Sequence, residues 1–131
     1  MKVATLLQYI HDRIEQQLQY QCEIGQVVPL KTSPLLIVDI EDVALERATA
    51  NSFRITYLIN IYIYVRGAQH LQVLQDSYSI AKEVFDLFHD DPTLGGNVCT
   101  SEIFAVTPEY MMRQRRLETV VRVRMRAVEL A

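Results

Sequence analysis

The sequence predicts an α+β fold: a two-layer sandwich, with two amphipathic helices on one face of a mostly antiparallel four-stranded sheet, in the order αββαββ. One domain is expected over residues 1–131. Three observations predict this. Residues 52–66, SFRITYLINIYIYVR, alternate strictly. Phe53, Ile55, Tyr57, Ile59, Ile61, Ile63 and Val65 fall on one face, and Arg54, Thr56, Leu58, Asn60, Tyr62, Tyr64 and Arg66 on the other. Period-2 segregation of β-branched and aromatic residues is a strand signal, and the apolar face must meet a core. Two other segments carry apolar residues at helical spacing. Finally, short joins link the strands within each pair, which favours antiparallel neighbours.

The elements follow in order. In residues 3–20, Val3, Leu6, Leu7, Ile10, Ile14 and Leu18 make a helical stripe, with His11, Asp12, Arg13, Glu15 and Gln16 on the other faces. Residues 20–33 contain Gly25 and Pro29 and read as a loop, with a short strand at 24–28. Residues 35–45 alternate as a strand that emerges into acid. EDVALERATA at 41–50 has helix-friendly composition, but is read as the strand end and a hairpin loop at 46–51. After Gly67, Leu71, Leu74, Tyr78, Ala81, Phe85 and Phe88 form a helical stripe, widened by Ile80, Val84 and Leu87. That helix is expected to end before Asp90, Asp91 and Pro92, with Gly95-Gly96 as a flexible turn. Residues 98–106 are expected as a strand, 107–112 as a turn around Pro108, and 115–130 as the last strand. The two longest strands exceed the domain. Fifteen residues extend about 50 Å, whereas a compact domain of this size is about 36 Å across. Such a strand must bend strongly or run past its own domain, and in the second case a neighbouring subunit would cover the excess.

Composition limits the function classes. Half the residues are hydrophobic, enough for a sizeable core, and the formal charge of −3 does not advertise nucleic-acid binding. Locally, residues 113–131 hold six arginines against Glu118 and Glu129, while acids gather at 39–46 and 86–91. Such segregation suits pairing between copies. Cys22 and Cys99 have no CxxC spacing and read as reduced thiols. Neither a signal peptide nor a membrane span is expected, and synthesis in the cytoplasm is.

Chemistry-bearing clusters are weak. His89-Asp90-Asp91 is consecutive, whereas metal ligands converge from separate positions, so a solvated helix end is the better reading. His11 and His70 read as solvated. Asp39, Glu41 and Asp42 read as a solvated strand edge rather than a cation site. Gly95-Gly96 leads into no helix with a lysine and is not a phosphate loop. No catalytic set, cofactor or metal is expected. Arg116, Arg122, Arg124 and Arg126 project from one face of the last strand, with Arg54 and Arg66 as candidate neighbours. A small nucleic-acid-binding module could use such a row, but Glu118 interrupts it, and salt bridges between subunits are favoured.

The αββαββ order, the IVDIEDVALE strand before FRITYLINIYIYV, the DDPTLGG turn and the closing RRLETVVRVRMRAVEL resemble the tail terminator (tail completion) proteins of long-tailed bacteriophages. The likeness covers nearly the whole chain. It implies a virion structural protein without catalytic residues. Such a protein forms a hexameric ring at the head-proximal end of the tail, in contact with the tail tube protein and the head-side connector. DNA passes through the lumen without specific binding. The tail-to-head joining (neck) proteins share the architecture. By analogy, contacts fall at 46–52, 107–112 and the ends of the long strands. The interface candidates are thus Glu46, Arg47, Arg54, Tyr62, Tyr64, Arg66, Glu109, Tyr110, Arg116, Arg122, Arg124 and Arg126.

Overall fold

The structure, a computed structural model, describes residues 1–25, 32–113 and 116–131, with side chains described outside 110–113 and 116–117. It is an α+β fold with two helices and a five-stranded mixed sheet, where a mostly antiparallel sheet of four strands was expected. Helix α1 is Val3–Arg13. Its buried stripe is Leu6, Leu7 and Ile10, continued by Ile14. A π-turn over Ile14–Leu18 follows, and Gln19, left-handed at φ 60°, ends it by donating its N–H to the Ile14 carbonyl at 3.1 Å. The helical segment therefore stops before Tyr20.

The fifth strand is β1, Gln21–Ile24, which pairs in parallel with β2, Leu35–Thr49. It begins earlier than the strand expected at 24–28, and 26–28 lie outside the described residues. Strand β2 runs unbroken through the segment with helical composition. Cross-strand pairing with β3, Ser52–Gly67, overrides local propensity, and the hairpin turn shrinks to residues 50 and 51. A bulge between Ile40 and Asp42 gives β2 an extra residue, Glu41.

Helix α2, His70–His89, is rotated from its expected stripe. Its buried residues are Val73, Ser77, Ile80, Ala81, Val84 and Phe88, while Leu71 is 80 % and Tyr78 41 % exposed. The reason is Ser77. Its hydroxyl lies 2.7 Å from the Val73 carbonyl and 2.6 Å from the Thr119 hydroxyl, so a polar residue sits in the core fully bonded. Strand β4, Thr100–Arg113, contains Pro108, where a turn was expected. β4 is an edge strand, the place in a sheet where a proline is tolerated. Strand β5, Arg116–Leu130, closes the chain.

The sheet order is β1-β2-β3-β5-β4, antiparallel except at β1. The main core lies between the helices and the side of the sheet carrying Ile59, Ile61, Ile63, Val121, Val123 and Met125. On the other, helix-free side, Leu35, Ile37, Tyr64 and Val120 form a second buried cluster with Tyr62 against it. The mixed face of β3 is thus half covered. Beyond Ile40, β2 is largely exposed, and the distal β2–β3 hairpin forms an arm.

Candidate functional site

The helix-free face carries an ordered lattice of charge. Antiparallel pairing aligns Arg122, Arg124 and Arg126 of β5 beside Tyr62, Asn60 and Leu58 of β3. Two bulges complete the lattice. Glu41, the extra residue of β2, reaches Arg124 at 3.0 Å and Arg122 at 3.7 Å. Phe104 sits at the β4 bulge between Ile103 and Ala105. Its ring centroid lies 5.1 Å from the Arg124 guanidinium carbon and 4.8 Å from that of Arg126. Arg122 also meets Glu109 at 3.3 Å, and Arg126 meets Glu102 at 3.1 Å. Where salt bridges between subunits were expected, these arginines already meet carboxylates within their own chain. Bulges re-aim side chains in just this way, and their positions are not readable from alternation.

The candidates fall into separate places. Arg122, Arg124, Arg126 and Glu109 join in the lattice. Tyr62 and Tyr64 lie beside it, with ring centroids 6.4 Å apart. Glu46 and Arg54 face each other across the arm at 3.9 Å, both exposed, and the Arg47 guanidinium stacks 5.6 Å from the Phe53 ring. Arg66 is at the far end of β3, where its N–H donates to the Ser33 hydroxyl. The side chains of Tyr110 and Arg116 lie outside the described residues. Glu41, Glu102 and Phe104 were not among the candidates. Asn60, 4 % exposed, leaves its Oδ1 without a hydrogen bond; the buried Nε of Arg124 also lacks one, while the Nε of Arg122 has the Glu109 carboxylate at 3.3 Å without hydrogen-bond geometry.

Other ionisable clusters are ties between elements. Glu129 is buried on the helix side and accepts from Tyr57 Oη at 2.9 Å, while Lys2 Nζ lies 3.0 Å away. Burial works to raise the Glu129 pKa, but the bonds to Lys2 and Tyr57 outweigh it and hold the carboxyl below its usual range. His11 is not solvated as expected. It contacts Asp12 at 2.9 Å and Glu15 at 3.3 Å. Burial disfavours its cation, yet the Asp12 bond and the Glu15 charge raise its pKa overall. Asp91 accepts from Tyr9 Oη at 2.5 Å and from the Gly95 N–H, and His89 stacks on Phe85, so the His-Asp-Asp run diverges. Asp39 bonds the following N–H of Ile40. Among the described residues, no group of three or more His, Cys, Asp or Glu could hold a metal. Burial, followed by the charges of Glu15, Glu23 and Asp12, pushes the Cys22 thiol up to about 12, and both cysteines are free.

The surface depressions include a cleft of about 500 Å³ between α2 and β4, lined by Phe85, Phe88, His89, Ile103 and Met125, with Ser101 and Glu102 as its polar lining groups. No helix among the described residues is long and apolar enough to cross a membrane. The chain matches no protein-family model, and no curated protein matches it.

Proposed function

We propose that the chain is a structural assembly subunit, a phage tail terminator. Copies close a ring on the head-proximal end of a tail tube and present it to the head-side connector. The observation that carries this reading is the overhanging arm. Beyond the helix-covered core, the β2–β3 hairpin and the end of β5 leave Leu45 58 % and Phe53 44 % exposed on the helix side and Leu130 58 % exposed on the opposite side. Large apolar side chains on both faces of a rigid three-stranded projection suit contact with another protein better than contact with solvent. The lattice supports the same reading. A semi-buried, charge-balanced face is a firm plate for packing, and it offers DNA in a lumen no excess of free cations.

The test combines native mass, electron microscopy and purified tail tubes. The expected result is a closed ring of about six copies that binds one end of the tube and blocks further addition of tube protein. A chain that binds the head-side connector but leaves the tube growing would be the joining protein of the neck. Failure to self-associate together with failure to bind tubes or connectors would sink the assembly reading.

A further inference from the structure

We infer that the β2–β3 arm of one copy docks Phe53 and Arg47 into the cleft between α2 and β4 of a second copy. The inference rests on the assembly reading and names the contact it uses. The arm presents Leu45, Arg47 and Phe53 together, because the β2–β3 register places Leu45 opposite Ile55 and Arg47 opposite Phe53. This is the helix-side surface, continuous with buried Ile55. Arg47 stacks on Phe53, and no carboxylate among the described residues lies within ion-pair distance of it. One end of the arm is thus apolar area with an unspent cation on top.

The cleft has the complementary chemistry. It also opens on the helix side, where Phe88 and Met125 form its buried base and Phe85 and Ile103 its half-buried walls. Its volume of about 500 Å³ is within the range of sites that engulf a ligand of several side chains' size. The Glu102 carboxylate, though the residue lines the cleft, is bound to Arg126, whereas Asp90 lies between the lining residues His89 and Pro92 in the chain. The Asp90 carboxylate is exposed and has no ion-pair partner among the described residues. An unpaired arginine on the arm and an unpaired aspartate beside the cleft are matched in sign, and the aromatic ring beneath the arginine is matched to an aromatic wall.

Topology excludes a contact within one copy. The arm belongs to β2 and β3, and the cleft to the β4 edge. Three strand spacings, about 14 Å, separate β2 from β4, and the arm is held by its ladder to β5, with Phe53 and Ala131 exchanging both backbone bonds at 2.7 and 2.9 Å. The arm therefore reaches another copy. Because the two patches differ, the contact is head-to-tail, the kind that generates a ring when its rotation closes.

The test is a charge swap read by sedimentation. Arg47→Glu and Asp90→Arg are each expected to weaken self-association about tenfold, and Phe53→Ala by at least that much. Arg47→Glu and Asp90→Arg combined in one chain should restore association to near the wild-type value. All three sites are exposed, and unchanged melting of the monomer would confirm that the variants fold. Wild-type association in the single variants, or a double variant no better than either, overturns the contact, while tube binding, measured separately, decides whether the chain acts on tails. A wild-type chain that stays monomeric at millimolar concentration also overturns the contact, whether or not it binds tubes.

Discussion

Removal of one hydroxyl tests how the ends of the chain are tied to the core. Tyr57 is fully buried, and its hydroxyl donates to Glu129 while accepting the backbone N–H of Lys2 at 3.0 Å. Tyr57→Phe keeps the ring and its packing. It leaves a buried carboxylate with Lys2 Nζ as its remaining partner. A hydrogen bond to a charged group contributes about 1.5–3 kcal/mol, so a loss of about 2 kcal/mol is expected at pH 7. For a chain of this length that lowers Tm by about 7 °C. The effect has a pH signature. The Glu129 pKa is depressed in the folded state, so the stability its ionisation supplies is present above the unfolded pKa and lost as pH falls through the folded one. Once Glu129 is protonated the bond is between neutral groups, and the difference between wild type and variant should shrink to about 1 kcal/mol. Urea titrations at pH 7 and at a series of falling acid pH values, at concentrations where the chain is monomeric, would measure both. A variant within 0.5 kcal/mol of wild type at pH 7, about a third of the smallest expected loss, would refute the reasoning. So would a loss independent of pH.

Two further outcomes follow from local geometry. Gly95 has φ +68°, and a Cβ there would lie 2.7 Å from the Tyr9 ring, while Gly96 at φ +86° has open space. Gly95→Ala should therefore cost about 2–4 kcal/mol and Gly96→Ala about 1–2, and equal urea midpoints would show that the Tyr9 contact yields freely. Cys99 is exposed and Cys22 buried with its thiol pushed up to about 12, so a maleimide should modify Cys99 in the native protein and Cys22 only after unfolding; equal rates would place Cys22 at the surface.

What was legible in the sequence was whatever a single period controls. The alternation of residues 53–65 assigned the core face of β3 correctly from Ile55 to Val65, and the α1 stripe is the buried one. The failures have particular causes. Counting large apolar residues put Leu71 and Tyr78 in the core, because nothing local shows that Ser77 will find Thr119, forty-two positions away. Pro108 read as a turn because edge position is a tertiary fact. The parallel strand β1 begins three residues before the short strand expected at 24–28, because its four residues acquire meaning only beside β2. At the candidate site, the arginine row was plain, but its counter-ions were not. Glu41 and Phe104 reach the arginines through bulges, and each bulge shifts the alternation by one residue.

That shift changes what the arginines can do. As a bare row they would be a cationic stripe. In the fold, Arg122, Arg124 and Arg126 meet Glu41, Glu102 and Glu109, three charges against three. A phosphate approaching this face must displace a carboxylate already in place, so the counterion release that drives nucleic-acid binding is largely forfeited. The same pairing favours a protein partner. Arg122 and Arg124 are only 23 % and 28 % exposed, so much of their desolvation is complete before any partner arrives. A neighbour that packed against this plate would bury charges already neutralised, whereas one that met a bare row would have to supply a matching carboxylate for each arginine. Charges without an ion pair among the described residues include Arg47 on the arm and Asp90 beside the cleft, and in the contact inferred above those two positions would specify the orientation between copies.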